Sequence, residues 1–505
     1  MVVVLLFIIL TFLLFFICKQ SNQRWIKSNS RPPGPRGLPL IGNMHQFDTS
    51  NTHLYLLQLS RKYGPLVSLQ LGSVRTLVIS SATVAKEVFK NHDITFSSRP
   101  ALVGTQKLSY NGIDFAFAPY SDYWRNMRKI CTIHLLSTKS FQSFCPIRED
   151  EVTKMMKKLS NRAAGFNIVN VSETVMTVTS SIVYRTSFGK IDDEDDDQDY
   201  TGYNNKMSRQ IHWVLTESQA CFGRFFVEDF FPQLGSFIDK LCGSWTRLEK
   251  SFNKLDAFYQ QVIDRRLNES TASAKECSIL DILLQMKMDS SDFTFDHIKA
   301  VLMDILLAAS ETSAAAVIWA MTLLVKNPKT MKKVQQEVRE LIGKKGFVDE
   351  NDTQQLDYLK AVIKEAMRLH PPVPVVPRAT MKKCVVSGYE IEDKTRVYVN
   401  LYAIGRDPAF WENPDEFIPE RFLNSSIDIK GQDFELIPFG VGRRMCPGLT
   451  MGLAMTELVL ANLLYHFNWE LPPGVEITDI DMATLPGLTT QKKNDLCLVP
   501  VININ

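Results

Sequence analysis

A 28-residue apolar stretch from Ile298 to Val325 constrains the fold more than any other part of the chain. Lys299, Asp304 and Glu311 are the charged residues within it. As a single helix it would be about 42 Å long, and three charges along it would be costly in membrane hydrocarbon. We therefore predict the long central helix of a large soluble domain, with a membrane span as the alternative.

Glu311, Thr312 and Ser313 place an acid and two hydroxyls in the middle of this predicted helix. Burying such groups costs free energy unless each finds a hydrogen-bond partner or a chemical use. From the residues alone, these three side chains could form either a hydrogen-bonded structural cluster or a functional cluster.

Composition excludes several classes of protein. The 505 residues are 45% hydrophobic and 22% charged, which is typical of a soluble globular protein and excludes wholesale disorder or a polytopic membrane protein. The 57 basic and 55 acidic residues nearly cancel, so the charge gives no indication of a nucleic-acid partner. The nine cysteines contain no C-x-x-C pair, which argues against a thiolate zinc site and a dithiol redox site. Their odd number fits a reducing compartment.

The N-terminus begins with an apolar run from Val2 to Cys18 that only Thr11 interrupts. This length reaches the lower limit for a bilayer-spanning helix, so we predict a transmembrane signal anchor over residues 2–18. A cleaved signal peptide is the alternative, but no basic residue precedes the run and no small-x-small cleavage site follows it. The basic residues behind the run are Lys19, Arg24, Lys27, Arg31 and Arg36. By the positive-inside rule they place the body of the protein in the cytosol.

Closely spaced prolines in residues 31–39 fix the backbone and prevent the membrane helix from continuing. We predict a basic, proline-rich hinge over residues 19–40 and one large domain over residues 41–505. Helical periodicity dominates this domain between two strand-rich patches, which favours a mainly α fold with small β-sheets. A run of seven acids in eight residues, Asp192 to Asp199, is predicted to be a solvated loop. The predicted strand regions are Leu66–Leu71, Thr76–Ser80, Cys384–Ile391 and Arg396–Leu401.

Cys446 lies in a loop rich in glycine and arginine, directly before a predicted helix over Leu449–Phe467. The thiolate is the form of cysteine that binds metal, and the N-terminus of a helix stabilises its negative charge. Gly442 and Gly448 allow the backbone to approach a flat ligand, and Arg444 can reach a carboxylate of that ligand. The pattern indicates one thiolate bound to a large planar metal complex, with an ordinary buried cysteine as the alternative.

The pattern Phe439-x-x-Gly442-x-Arg444-x-Cys446-x-Gly448 resembles the haem-binding signature of the cytochromes P-450, the haem-thiolate monooxygenases. The resemblance covers the whole chain, because other motifs of the family follow in the same order. The predicted anchor, the hinge and the motifs of the chain look most like those of plant microsomal members of specialised metabolism. It implies the cytochrome P-450 fold, with a long central helix and haem b held by the Cys446 thiolate.

Three residues resemble those that contact the haem propionates in this family. Trp124 and Arg128 are four residues apart, so a helix places them on one face, where an indole N–H and a guanidinium can donate to carboxylates. Without the resemblance they would be ordinary residues of an amphipathic helix. Arg378 falls where many members of the family contact a propionate.

Glu365-x-x-Arg368 resembles the E-x-x-R motif of the family, and Arg421 lies in the partner motif. An i,i+3 pair on a helix is usually a weak solvated bridge. The resemblance implies instead a buried triad of Glu365, Arg368 and Arg421 that fixes the core around the haem loop.

Residues 308–313 resemble the oxygen-activation motif of the family. The resemblance implies that Thr312 hydrogen-bonds dioxygen and that Glu311 helps to relay protons. The family usually has glycine where this chain has Ala309. The added methyl group is expected to narrow the groove for dioxygen or to change the coupling of electron use to product.

The substrate pocket is placed by analogy with the family. Its mostly apolar lining favours a lipophilic or aromatic molecule, and phenylpropanoids, terpenoids, alkaloids and aldoximes all remain open. The expected lining residues are Val103, Phe115, Phe117, Leu306, Ala309, Val373, Val376, Leu485 and Leu488.

The resemblance implies an NADPH- and O2-dependent monooxygenase in the endoplasmic reticulum membrane, with its catalytic domain in the cytosol. The chain has no flavin or nicotinamide fingerprint, so electrons are expected from a membrane-bound NADPH–cytochrome reductase. One alternative is a haem-thiolate isomerase or dehydratase that works without a reductase. The other is a non-catalytic haem-binding sensor or carrier.

Overall fold

The computed structural model describes residues 31–189, 206–268 and 277–503. The predicted anchor over 2–18, most of the predicted hinge and the acidic run from Asp192 to Asp199 lie outside the described residues. Helices predominate and the strands are short, which confirms the mainly α class with small β-sheets.

Most helices follow the apolar periodicity of the sequence. The helices are α1 (Thr52–Tyr63), α2 (Ala82–Asn91), α3 (Val103–Leu108), α4 (Asp122–His134), α5 (Thr138–Ser143), α6 (Cys145–Ala163), α7 (Val171–Phe188), α8 (Lys206–Phe222), α9 (Gly235–Leu241), α10 (Ser244–Asn268), α11 (Ile279–Asp289), α12 (Phe295–Lys326), α13 (Pro328–Ile342), α14 (Glu350–Thr353), α15 (Asp357–Leu369), α16 (Leu401–Ile404) and α17 (Leu449–His466). Short 3-10 turns cover Met44–Gln46, Pro419–Phe422, Gly442–Arg444 and Ile477–Asp479.

The strands form three small sheets, ordered β1-β2-β7-β4, β3-β9-β8 and β5-β6. Their bounds are β1 (Leu66–Leu71), β2 (Val74–Ile79), β3 (Val169–Asn170), β4 (Val375–Ala379), β5 (Cys384–Val386), β6 (Tyr389–Ile391), β7 (Arg396–Asn400), β8 (Phe467–Glu470) and β9 (Cys497–Ile502).

The chain divides into two compact units. The first holds the described residues of 1–100, 225–244 and 375–404. The second holds those of 101–224, 245–374 and 405–505, and it contains the cysteine loop and the central helix.

The first unit is built on the four-stranded sheet. β1 and β2 pair antiparallel around Gly72, whose φ of +60° suits glycine, and β2 runs parallel to β7. The predicted strand Thr76–Ser80 therefore overlaps β2, which begins at Val74 and ends at Ile79. The predicted strand region Cys384–Ile391 is a hairpin, because Ser387 and Gly388 turn the chain with positive φ. Its two arms are β5 and β6.

The second unit is organised around α12, which begins and ends just outside the predicted Ile298–Val325. The helix is long and apolar enough to cross a membrane, but most of its side chains are buried against helices of the same unit, including α7, α15 and α17. Burial of each large aliphatic side chain contributes about 1.5–3 kcal/mol to stability. The charge of Lys299 is compensated by Asp256, whose Oδ1 lies 2.7 Å from the Lys299 ammonium. The prediction of a central helix is confirmed.

Candidate active site around Cys446

The loop before α17 presents Cys446 on a tight backbone turn. The Cys446 N–H donates to the Phe439 carbonyl at 2.9 Å, and the Met445 N–H donates to the Gly442 carbonyl at 3.0 Å. Gly440 and Gly442 have φ of +72° and +71°, a region that glycine adopts without steric cost. Gly442 is therefore required by the turn itself, whereas Gly448 has an ordinary φ of −90°.

The Cys446 thiol faces an internal space. Its side chain is accessible, yet burial raises the pKa of the thiol. The sulfur therefore lies in an open space that protein atoms surround. The Gly448 N–H and the positive charge of Arg128 act against this rise in pKa, so both favour the thiolate.

The central helix carries a short strip that also faces an open space. Ala308 is exposed and Ala309 and Thr312 are half-buried, whereas Leu306 and Ser313 on the same helix are buried. The strip follows helical spacing, because positions i, i+1 and i+4 share one side. The Thr312 Oγ1 donates to the Ala308 carbonyl at 2.6 Å, so the hydroxyl points along the strip toward Ala308.

Three close approaches join the loop, α17 and α12. A methyl group at Gly452 would lie 3.6 Å from the Phe439 ring and 4.0 Å from Ser313 Oγ. The same group at Gly448 would lie 3.9 Å from Cys446 Sγ. The middle of α12 therefore lies beside the start of the helix that follows the cysteine, where Leu449 and Leu453 are only half-buried.

Two guanidinium groups and an indole gather beside the cysteine loop. The Arg444 guanidinium lies over the Trp124 ring at 4.0 Å, and that of Arg128 lies 5.6 Å from the same ring. Arg128 donates to the Met445 carbonyl, and Arg444 donates to the Ala118 carbonyl. The three residues that the sequence proposed as propionate ligands in this unit therefore lie together.

Glu311 is buried in a polar cluster, with 3% of its surface exposed. Its Oε2 accepts hydrogen bonds from Thr489 Oγ1 at 3.2 Å and from the Gln219 amide. Burial raises the pKa of Glu311 to about 7, while hydrogen bonds from Gln219, Thr489 and Gln491 act in the opposite direction. The carboxyl group can therefore gain and lose a proton near neutral pH.

Sequence reasoning did not identify Gln219, Thr489 or Gln491. They lie on α8 and on the segment before β9, far from Glu311 in the chain. The one available indication was general, since a buried acid needs hydrogen-bond partners. Glu311 and Thr312 are neighbours in sequence, but their side chains project into different surroundings.

Glu365, Arg368 and Arg421 form a buried cluster. Arg368 donates to Glu365 through Nε at 2.7 Å and Nη2 at 2.8 Å, and both side chains are fully buried. Arg421 Nε donates to Glu365 Oε1 at 3.0 Å. The structure thus brings together the triad that the sequence proposed. Arg368 also donates to the backbone carbonyls of Gly405, Pro414 and Glu416.

Two of the proposed site residues belong to the first unit. Arg378 and Val376 lie in β4, where they pair with Val397 and Val399 of β7. Arg378 is buried and Val376 is half-buried.

The proposed pocket residues of the second unit differ in exposure. Phe115 is buried, and the half-buried Phe117 ring lies 4.9 Å from the ring of Phe222. Leu306 is buried in the core of α12, whereas Ala308 faces the open strip. Of the remaining residues, Val103 is buried, Val373 and Leu488 are half-buried, and Leu485 is exposed.

A family model described as Cytochrome P450 matches residues 32–498. The chain belongs to the cytochrome P450 family. It is a cytochrome P450 monooxygenase, a family that uses haem.

Plant cytochromes P450 are similar to it along nearly their whole length. The 6,7,8-trihydroxycoumarin synthase of Pastinaca sativa and Cytochrome P450 71A9 of Glycine max are each 46% identical to it, over 98% of both chains. The 5-OH-xanthotoxin synthase of Pastinaca sativa is 44% identical over 98% of both chains.

A solved structure confirms the cytochrome P450 fold. A zebra fish cytochrome P450 with progesterone superposes with a TM-score of 0.74 at 24% identity, over 89% of this chain and 99% of that chain. At this identity the likeness concerns the fold alone.

The donor set around Cys446 fits haem. It offers one thiol that faces an enclosed space, and small or apolar side chains on α12 and α17 beside it. Arg128 and Arg444 supply two guanidiniums that suit the two propionates, whereas the single N–H of Trp124 is already donated to the Phe115 carbonyl at 2.9 Å. One thiolate ligand for the iron and cationic donors for the two propionates suit a planar iron porphyrin.

Proposed function

We propose that this P450 uses NADPH and O2 to hydroxylate a lipophilic aromatic metabolite of the phenylpropanoid type, with a coumarin as the nearest chemical class. The observation that carries the proposal is the Cys446 thiol, which faces an enclosed space beside the open strip of α12. The relatives named 6,7,8-trihydroxycoumarin synthase and 5-OH-xanthotoxin synthase support an aromatic oxygen heterocycle as substrate. Phe115, Phe117 and Phe222 suit a flat aromatic ring.

In this proposal haem b is held by Cys446. The Gly448 N–H and the charge of Arg128 stabilise the thiolate. Arg128 and Arg444 bind the propionates, and the Trp124 ring packs against both guanidiniums. When bound, thiolate-ligated haem supplies the activation of O2, in which two electrons and two protons put one oxygen atom into substrate and one into water.

The chain's own residues supply protons and exclude water. Glu311 exchanges a proton near neutral pH, and its buried cluster with Gln219 and Thr489 keeps the acid at a fixed place on α12. Thr312 presents a hydroxyl on the open strip and can turn from the Ala308 carbonyl to donate toward dioxygen. The Ala309 methyl group on the same strip limits the width of the space.

The protein is also proposed to be anchored in the endoplasmic reticulum membrane by residues 2–18, with the hinge over 19–40 and the domain over 41–505 in the cytosol. The first unit supports this, because it exposes large apolar side chains that a bilayer would cover. Leu234, Phe237 and Leu241 are 69%, 68% and 72% exposed, and Leu38 and Leu40 are about half exposed. Electrons come from an NADPH–cytochrome reductase in the same membrane.

The test is expression of the full chain with a plant NADPH–cytochrome reductase in yeast microsomes, followed by a screen of coumarins. We expect NADPH-dependent hydroxylation, with one atom of labelled dioxygen found in the product. Turnover that needs a peroxide and proceeds without NADPH would support the isomerase alternative. Carbon monoxide binding without turnover of any tested class would support the sensor alternative.

A further inference from the structure

Two buried carboxyl groups form a close pair in the second unit. Asp304 lies on α12, and Asp114 lies in the connection between α3 and α4. Their exposed fractions are 3% and 0%, and each carboxyl group acts directly on the pKa of the other. Two carboxyl groups in contact can hydrogen-bond to each other only when one of them carries a proton.

The pair binds four consecutive backbone N–H groups of the segment 115–118. These N–H groups would otherwise be buried donors without partners, because this segment forms neither helix nor strand. Phe115 and Ala116 donate to Asp304 Oδ2 at 3.1 and 3.2 Å, Phe117 donates to Asp114 Oδ2 at 3.0 Å, and Ala118 donates to Asp114 Oδ1 at 2.7 Å.

The carbonyl groups of the same segment are bound from the opposite direction. Trp124 Nε1 donates to the Phe115 carbonyl at 2.9 Å, and Arg444 donates to the Ala118 carbonyl. The segment is therefore fixed between α12 on one side and residues beside the Cys446 loop on the other.

We propose that the Asp114–Asp304 pair positions the substrate, because its shared proton lets both carboxyl groups hold the segment that carries Phe115 and Phe117. Both are positioning residues that act through the two phenyl rings. The proposal rests on the proposed function, in which these rings contact the substrate.

The surroundings of the pair retain the shared proton. Burial raises the pKa of Asp114 to about 6 and that of Asp304 well above its usual range. The charge of Arg444 lowers the pKa of Asp114, whereas each aspartate disfavours the charge of its partner. Loss of the proton at high pH leaves two facing negative charges and loosens the segment. The other titratable groups that face the pair are Tyr123 and Cys131 of α4 and Tyr259 of α10.

The two carboxyl groups are not equivalent, and this gives a sharp test. Among the described residues no N–H group donates to Asp304 Oδ1. In Asp304→Asn the amide can therefore place its NH2 at this atom, donate to Asp114 and still accept both N–H groups. In Asp114→Asn each oxygen already accepts an N–H group, so the NH2 must face a donor and one hydrogen bond is lost.

Backbone hydrogen exchange of residues 115–118, measured by mass spectrometry on the haem-loaded protein, tests the pair directly. In the wild type we expect protection of these amides to fall at alkaline pH, where the pair loses its shared proton. Asp304→Asn should keep the protection and lose its pH dependence, whereas Asp114→Asn should lose protection by at least about fivefold. Asp239→Asn is the matched control, because Asp239 is a buried aspartate that accepts the N–H groups of Val227 and Glu228. It should leave residues 115–118 unchanged.

Turnover of coumarin as the probe then links the segment to substrate position. Asp114→Asn should raise the apparent KM and alter the ratio of hydroxylated products, with an unchanged carbon monoxide spectrum, while Asp304→Asn should match the wild type at pH 7. Equal exchange in the wild type and Asp114→Asn, or equal damage by both substitutions, would overturn the proposal. A wild type that gives no NADPH-dependent product from any tested class would contradict the proposed function instead, and the exchange data would still decide whether the pair holds the segment.

Discussion

Thr489 Oγ1 lies 3.2 Å from Glu311 Oε2, and this contact joins the middle of α12 to the segment before β9. Glu311 also accepts a hydrogen bond from Gln219 of α8, so three distant parts of the chain enclose one carboxyl group. The enclosure is neutral and buried, which is why the pKa of Glu311 rises to about 7 from 4.5. We therefore expect the acid to have a measurable effect on stability in addition to its proposed role in proton transfer.

Glu311→Gln should remove part of the pH dependence of stability. Because the pKa of Glu311 is higher in the folded state, that state binds more protons between pH 4.5 and about 7. The contribution of this acid to the free energy of unfolding therefore falls as pH rises through this window, by about 3 kcal/mol in total. Urea unfolding at pH 5, 6, 7 and 8 should show a flatter profile for the variant. Exposed Glu340 supplies the control Glu340→Gln, and parallel profiles for Glu311→Gln and the wild type would contradict the assignment.

Thr312→Ala should uncouple electron use from product formation. Haem content and substrate binding should remain, because neither depends on a hydroxyl that is bound to the Ala308 carbonyl. NADPH would still be consumed, while product formation falls by about a hundredfold where water does not replace the lost donor. Product per NADPH and peroxide release are the measurements. Thr312→Ser keeps the hydroxyl and should stay close to the wild type, and equal coupling in all three proteins would remove Thr312 from the relay.

The parts of the fold that sequence could predict are those with local causes. The apolar stretch around Leu306 demanded a buried helix, and alternating apolar residues gave Leu66–Leu71 with the bounds of β1. The region Cys384–Ile391 contains a hairpin that was not foreseen, although Gly388 after Ser387 was a turn signal. Residues that adopt positive φ are difficult to recognise in a sequence when apolar residues flank them on both sides.

The residues of the candidate site also differ in whether the sequence could predict them. Glu365 and Arg368 meet through their i,i+3 spacing, and Cys446 and the buried triad follow from motifs that resemble those of the family. The partners of Glu311 and the Asp114–Asp304 pair do not. Glu311 and Thr489 are 178 residues apart, and only tertiary packing makes them neighbours. A buried acid therefore indicates from the sequence that it has hydrogen-bond partners, but it does not identify them.

Cys446→Ser should remove thiolate ligation. We expect the reduced protein with carbon monoxide to lose the red-shifted band of thiolate-bound haem, and oxygenation to cease. Cys131→Ser is the matched control, because Cys131 is a buried cysteine on α4 whose thiol pKa is raised by burial. A normal thiolate spectrum in Cys446→Ser would mean that another cysteine binds the iron.

The proposed topology can be tested by glycosylation. The sequons begin at Asn170, Asn268, Asn351 and Asn424. Asn351 and Asn424 are exposed, so glycosyltransferases could reach them if the domain faced the lumen. We expect no glycan on any of them in plant microsomes. A sequon added before Val2 should be glycosylated and serves as the positive control, and glycan on Asn351 or Asn424 would reverse the orientation.

Glu365→Gln should destabilise the protein strongly although it preserves the shape of the side chain. The substitution leaves Arg368 buried without a counter-charge, which typically costs about 3–5 kcal/mol. Because Arg368 also binds the carbonyls of Gly405 and Pro414, we expect the loss to spread to the chain after α16 and to lower haem retention. Arg368→Lys should have a similar effect, since a lysine ammonium cannot reproduce the five donors of the guanidinium.

The matched control for this prediction is Lys383→Gln. Lys383 and Glu390 form an ion pair at 2.9 Å, but both side chains are about half exposed. Such a pair contributes about 0–1 kcal/mol, so its removal should leave the unfolding midpoint and the haem content unchanged. Urea unfolding followed by circular dichroism, with haem quantified in the same samples, distinguishes the two cases. If Glu365→Gln retained haem and unfolded like Lys383→Gln, the triad would be only a buried ion pair that glutamine can replace, and it would have no part in holding the core around the haem loop.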